Sequence, residues 1–160
     1  MLKRVMAASV AALAVSACVD PVKPIQAWST ETASQASIET VTITNASSNA
    51  APESLAALKT ALDAALAQCA RGATKYEMQV RVDNFKLGNP ALAILVGNSH
   101  EISAEVKIVN PENQAVASEY YVQERLGGGG IIGAAILASG APGVSREFAS
   151  SVCQKIFKKK

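Results

Sequence analysis

The chain has 160 residues, 49% of them hydrophobic, and a formal net charge of only +2. Lys3 and Arg4 account for this surplus, so that the chain after residue 17 carries 13 basic and 13 acidic residues. This balance argues against binding to nucleic acid, which requires a strongly basic surface. The length suits one domain with one modest core.

The first predicted element is a lipoprotein signal peptide at residues 1–17. Lys3 and Arg4 precede an apolar run at residues 5–17, which has the length of a secretory signal and is too short to span a bilayer. The run ends in VSAC, residues 15–18, which resembles the bacterial lipobox. The alternative is an ordinary signal peptide that leaves Cys18 as a free thiol.

The lipobox resemblance implies that Cys18 becomes the new N-terminus and carries diacylglycerol and a further acyl chain such as palmitate. Two or more acyl chains anchor a protein stably, whereas one does so only marginally. Val19, and not an aspartate, follows the cysteine. By resemblance to enterobacterial sorting rules, this implies a lipoprotein of the outer membrane whose domain lies in the periplasm.

Residues 18–36 are predicted to be a flexible tether, because they contain Pro21, Pro24 and many polar residues without an apolar period. Trp28 stands alone in this segment, and the sequence does not decide between packing on the domain and lying near the membrane. Residues 37–160 are predicted to form a single domain.

The domain is predicted to be α+β, with six elements in the order β-α-β-β-β-α. Apolar periodicity places strands at 37–44, 74–87, 100–109 and 115–125, and helices from 52 to about 72 and from 145 to 158. A change of parity near Asp83 and Asn84 predicts a bulge. Residues 88–98 are predicted to be a loop with a short apolar turn. The expected architecture is a mainly antiparallel four-stranded sheet with both helices on one face and a polar face that is open to water or a partner.

The lipobox, the strand YEMQVRVDNF, the hairpin HEISAEVKIVNPENQAVASEYYV, the glycine-rich turn and the last helix REFASSVCQKIF resemble a group of bacterial lipoproteins. These are small Gram-negative lipoproteins with a CsgG-like or TolB-N-terminal-like α/β domain. The resemblance implies a role in envelope assembly, secretion or transport. Secretion-pore relatives carry a long membrane-inserting hairpin, and no segment here is long enough for one.

The glycine-rich turn is the candidate interaction loop, formed by Gly127, Gly128, Gly129, Gly130, Ile131, Ile132 and Gly133. Gly128, Gly130 and Gly133 have the spacing of a dinucleotide-binding turn, but no second strand with an acidic residue follows, and no P-loop lysine is present. The sequence therefore predicts no nucleotide binding. Either the segment is a connection whose apolar residues, including Ile136 and Leu137, pack on the core, or it is an exposed loop that touches a partner, another copy or the membrane surface.

No catalytic or metal site is predicted. His100 is the only histidine and begins the inward face of a strand, which favours a hydrogen-bonded structural role. Ser99 points to the opposite face and does not pair with it. Cys69, Cys153 and His100 lack metal-ligand spacing, and Glu101 and Glu105 lie on a polar strand face. We therefore expect no enzyme activity and no cofactor other than the covalent lipid on Cys18.

Cys69 and Cys153 are predicted to form a disulfide. They are the two thiols that remain once Cys18 is acylated, and the periplasm is oxidising. Each lies on or beside the apolar stripe of its helix, in the C-terminal half. The alternative is two separate buried cysteines that act as small hydrophobic side chains.

The sequence thus predicts a non-catalytic, membrane-anchored envelope lipoprotein that acts through protein partners or as a homo-oligomer. The alternative function is a periplasmic accessory or carrier subunit that binds a lipid or a small apolar ligand between the helices and the sheet.

Overall fold

The computed structural model describes residues 20–47 and 49–157. Five strands are present: β1 (Val22–Gln26), β2 (Ala36–Asn45), β3 (Thr74–Lys86), β4 (Asn98–Val109) and β5 (Val116–Gly128). Five helices accompany them: α1 (Thr30–Gln35), α2 (Pro52–Cys69), α3 (Pro90–Val96), α4 (Gly130–Leu137) and α5 (Gly140–Ile156). The predicted signal peptide at residues 1–17 and the predicted lipidation site Cys18 lie outside the described residues.

The strands form one mixed sheet in the order β1-β5-β4-β3-β2. β3, β4 and β5 form the expected antiparallel meander, and β1 adds to β5 in antiparallel fashion. β2 pairs with β3 in parallel, because α2 carries the chain back between them. The predicted α+β class is confirmed, whereas the mainly antiparallel sheet of four strands with two helices is wrong, because the described chain has a mixed sheet of five strands and five helices.

The predicted flexible tether is wrong from Asp20 onwards, because β1 and α1 occupy this segment. The backbone N–H of Gln123 donates to the carbonyl oxygen of Pro21 at 2.8 Å, so strand-like contact begins three residues after Cys18. Proline is tolerated in β1 because this strand is at the edge of the sheet and one side of it needs no donor. β1 was not predicted because it has only five residues, because Pro24 is one of them, and because Pro21 directly precedes it.

The core lies between the sheet and the two long helices α2 and α5, which pack against each other as well as the sheet. The apolar stripe of α2 is buried as predicted, with Leu58, Leu62 and Leu66 facing the strands. Val80 and Phe148 meet them from β3 and α5. The side chains between the helices and the sheet therefore form a packed interior.

The predicted disulfide between Cys69 and Cys153 is present, with the two Cα atoms 5.8 Å apart. Cys69 is the last residue of α2, and Cys153 lies in the last turn of α5. The two helices run in the same direction, so their C-terminal ends meet at one end of the domain. The bond fastens the helical layer at this end.

Trp28 packs on the domain, at the same end as the disulfide. Its indole N–H donates to the carbonyl oxygen of Ile156 at 3.1 Å, which satisfies a free acceptor at the end of α5. Its ring meets Tyr76 and Phe157 edge-on, at centroid distances of 5.6 and 5.5 Å. The segment between β1 and β2 therefore crosses the domain as a fixed part of the fold.

Three helices were not predicted, and the last helix begins earlier than expected. α1 and α3 have only six and seven residues, and α4 contains two glycines, so none shows a recognisable apolar period. α5 starts at Gly140 and not at residue 145. The predicted bulge is confirmed, because the pairing of β3 with β4 shifts between Val82 and Asn84. No helix in residues 20–47 or 49–157 is long and apolar enough to cross a membrane.

Candidate functional site

α3 follows the end of β3 and lies at the end of the sheet opposite the disulfide. Its start is fixed by Asn89, whose side-chain oxygen accepts the N–H of Ala91 at 2.8 Å, and by Pro90 in the first turn. It ends at Gly97, which has a φ of 79°. Asparagine-proline at the start and glycine at the end are therefore the sequence signals that identify this helix.

α4 follows the end of β5 and packs beside α3. The glycines permit this packing. A Cβ atom on Gly133 would lie 2.4 Å from the carbonyl oxygen of Gly128, so α4 rests directly on the strand end. Gly127 has a φ of 144°, and a Cβ atom there would lie 2.6 Å from the carbonyl oxygen of Asn98. The glycine-rich segment is thus a tight strand-to-helix connection.

The two short helices present an exposed aliphatic surface. Ile131 and Ile132 are 80% and 78% exposed, and Leu95 and Val96 are 79% and 80% exposed. Of the ten large hydrophobic side chains that are exposed in the described part of the chain, eight lie at this end of the sheet. We call this surface the apolar end: Leu87, Leu92, Ile94, Leu95, Val96, Ile131, Ile132 and Ile136.

His100 holds both helices onto β4. The backbone N–H of Gly88, just before α3, donates to His100 Nδ1 at 2.9 Å. His100 Nε2 lies 3.0 Å from the carbonyl oxygen of Leu137, the last residue of α4. With Nδ1 accepting, Nε2 is the nitrogen that carries the proton and donates. The imidazole is 1% exposed, so its position gives it the structural role that the sequence favoured.

In the structure, residues 127–129 of the predicted interaction loop lead out of β5, and residues 130–133 belong to α4. Of the two alternatives left open by the sequence, packing on the core applies to Leu137, which is 2% exposed, and not to Ile131 and Ile132, which face outwards. The sequence did not reveal that residues of α3 join them in one surface. Ser99 donates to Glu101 at 3.2 Å, on the face opposite His100.

The open face of the sheet carries a row of ion pairs at its centre. Glu105 accepts from Arg81 at 2.7 Å and from Lys107 at 2.5 Å, and Arg81 also reaches Asp83. These two cations lower the pKa of Glu105 from 4.5 to about 2. The face is therefore polar, as the alternation of the strands predicted, and the structure shows that its central charges pair with one another.

We expect acid to weaken the fold through Glu105. A carboxyl group with a lowered pKa stabilises the native state above its ordinary pKa of 4.5 and loses this contribution as the pH falls towards 2. Because water screens the pairs, the contribution is about 1 kcal/mol. Urea unfolding between pH 6 and 2 should show a smaller loss of stability for Glu105→Gln than for the native chain. Glu112→Gln, in the β4–β5 turn, is the control, and equal slopes for all three proteins would refute the role of Glu105.

No group of three or more His, Cys, Asp or Glu side chains that could hold a metal ion occurs within the described ranges. Comparison with known proteins gives no match to a protein-family profile and none to a curated protein. The resemblance to CsgG-like and TolB-N-terminal-like proteins therefore stays a prediction.

Among solved structures, the chain is similar to the PelC dodecamer from Paraburkholderia phytofirmans, in two crystal forms. In each the TM-score is 0.46 and the identity 16%, over 82% of this chain and 95% or 96% of the other. It is also similar to a Caulobacter crescentus CB15 protein that is provisionally described as a lipoprotein. There the TM-score is 0.45 and the identity 18%, over 72% of this chain and 87% of the other. Similarities of this size establish no family, and no function is taken from them.

Proposed function

We propose that the protein is a non-catalytic lipoprotein of the bacterial envelope, anchored through Cys18 in the outer membrane with its domain in the periplasm. It acts in envelope assembly, secretion or transport by binding other proteins or further copies of itself. The observation that carries the proposal is the apolar end, which the sequence left open to contact with a partner, another copy or the membrane surface. An exposed aliphatic surface of this kind on a folded domain marks a site of contact.

The position of the N-terminal residues supports an anchor that is directly attached to the domain. Asp20 accepts the backbone N–H of Val22 at 3.1 Å and pairs with Lys155 of α5 at 3.0 Å. Only Val19 separates it from the lipobox cysteine. A lipid on Cys18 would therefore hold the domain at the membrane surface, and not at the end of a long tether.

The disulfide supports a location outside the cytoplasm. Cys69 and Cys153 are bonded across the two long helices, and bonds of this kind form and persist in oxidising compartments such as the periplasm. This agrees with the signal peptide that the sequence predicts at residues 1–17.

The contacts of the polar groups favour binding over catalysis. Both ring nitrogens of His100 are used to hold α3 and α4, and Ser99 contacts a carboxylate on the other face. The charged side chains of the open sheet face pair with one another. Contact at a surface is therefore the function that this fold supports best.

The alternative, a carrier for a lipid or small apolar ligand, requires space between the helices and the sheet. Leu58 and Leu62 of α2, Val80 of β3 and Phe148 of α5 are at most 1% exposed and pack in this layer. This close packing favours the contact function.

The mass of the mature protein tests the anchor. Expression of the full chain in a bacterium should give a membrane fraction in which the protein begins at Cys18 and carries diacylglycerol and an acyl chain, because the lipobox directs this processing. Cys18→Ser should abolish the modification, because the variant has no thiol to receive the diacylglycerol. An unmodified mass, or cleavage at another bond, would refute the anchored function.

A further inference from the structure

We propose that the apolar end inserts into the lipid bilayer, in the outer acyl region next to the anchor, and that it is not the surface that protein partners bind. This inference rests on the proposed anchoring at Cys18 for the position of the membrane. Three independent observations lead to it: the chemistry of the surface, its dimensions and its place relative to the N-terminus.

The first observation is the composition of the two helices. α3 has the sequence PALAILV and α4 has the sequence GIIGAAIL, so neither contains a side chain that donates or accepts a hydrogen bond. Protein interfaces are rich in aromatic residues and arginine and carry several hydrogen bonds. A helix that is apolar on every side is typical of a protein core or of contact with lipid. The outer sides of α3 and α4 are exposed and are not part of the core, so contact with lipid is the case that applies to them.

The second observation is the size of the surface. Helices of seven and eight residues are about 10–12 Å long. They are too short to cross the hydrocarbon core of a bilayer, which is about 30 Å thick. They suit elements that lie about 5–10 Å deep at the boundary between headgroups and acyl chains.

The third observation is the route of the chain. β1 runs antiparallel to β5, with Val22 opposite Val122, while β5 continues from there towards α4. Asp20 and Pro21, which precede β1, therefore lie alongside the part of β5 that leads to the apolar end. Asp20 and Pro21 share a surface depression with Glu101 and Arg125, close to the ends of β4 and β5.

This route limits where the lipid attaches. Consecutive Cα atoms are about 3.8 Å apart, so the Cα of Cys18 lies within about 7.6 Å of that of Asp20. Asp20 lies beside Arg125 in this depression and also pairs with Lys155 in the last turn of α5, so the described chain begins near the middle of the sheet edge. A membrane that holds the acyl chains of the proposed anchor would lie next to this edge of the sheet, which β5 follows towards α4.

The charges beneath the apolar end fit the headgroup layer. Lys86 and Arg125 lie opposite Glu101 in neighbouring strands, and Arg125 pairs with it at 2.7 Å. Lys86 is exposed and directly precedes Leu87 of the apolar end. A lysine at such a boundary extends its ammonium group towards phosphate while its stem stays against apolar surface. Protein partners then meet the polar sheet face, which this orientation leaves uncovered.

Photochemical cross-linking in intact cells tests the inference. A diazirine amino acid replaces Ile132 on α4 or Leu95 on α3 in the full chain, and Thr42 on the polar sheet face serves as the control site. All three positions are exposed, so the substitutions should leave the fold intact, which an intact Cys69–Cys153 bond confirms. After irradiation we expect phospholipid adducts at positions 132 and 95. At the control position 42 we expect such adducts only at background frequency.

Adducts at 132 and 95 with another protein, or with a second copy of this chain, would overturn the inference, as would lipid adducts no more frequent than at 42. The same mass measurement reports the state of Cys18 separately. Phospholipid adducts on a chain with an unmodified Cys18 would refute the proposed anchor and leave the lipid contact standing. A lipidated chain with protein adducts at the apolar end would support the proposed anchor and refute the lipid contact.

Discussion

Replacing both Cys69 and Cys153 with alanine should lower the free energy of unfolding by about 4–5 kcal/mol, because the bond closes a loop with a sequence separation of 84 residues. Removing it restores chain entropy to the unfolded state, and the cost of closing a loop increases with its length. For a domain of this size the expected fall in Tm is about 10–15 °C. Urea unfolding and calorimetry of the mature protein would measure both quantities.

Reduction of the native disulfide should reproduce this loss. Dithiothreitol is expected to destabilise the native chain and to leave the Cys69→Ala/Cys153→Ala protein unchanged, since the variant has no bond to reduce. If the native chain were equally stable with and without reductant, the disulfide would contribute nothing to stability, and the two cysteines would act only as packed side chains.

His100→Ala should destabilise the domain by about 3 kcal/mol and should loosen α3 and α4 more than the rest. The substitution leaves a cavity at a 1% exposed position. It also leaves the N–H of Gly88 and the carbonyl of Leu137 without their present partner. Amide hydrogen exchange should accelerate most strongly in residues 88–97 and 130–138.

Val106→Ala is the matched control, because Val106 is fully buried on the same face of β4 but lies in the middle of the sheet. It should lower stability without selective exchange in the two short helices. A uniform increase in exchange in His100→Ala, like that in the control, would show that His100 does not fasten the apolar end.

The central strands and the long helices were predictable because each carries a clear period. Met78, Val80 and Val82 alternate with polar residues in β3, and the leucines of α2 recur at spacings of three and four, so a single apolar face fixes each element. The disulfide followed from the positions of its two cysteines on such faces. These predictions depended on local pattern, and the structure reproduces them.

Only part of the apolar end was predicted from the sequence. Ile131 and Ile132 of α4 were identified as candidates, whereas the residues of α3 were not. The period of a helix shows itself through alternation between apolar and polar sides, and α3 and α4 have no polar side chain to provide it. Whether Ile131 lies inside or outside depends on how α4 rests on Gly128, which is a tertiary contact. The parallel pairing of β2 and the use of Pro24 in an edge strand are likewise decided by the whole sheet.

The attachment of β1 to the edge of the sheet has a mechanical consequence. Hydrogen bonds between antiparallel strands lie perpendicular to the strands, and β1 follows Asp20 directly along β5. Tension applied at the N-terminus along the strand direction therefore loads the β1–β5 bonds in shear, all together, and does not open them one after another. The ion pair between Asp20 and Lys155 shares this load with α5. With the proposed anchor at Cys18, the domain should resist extraction from the membrane more strongly than its short first strand alone would indicate.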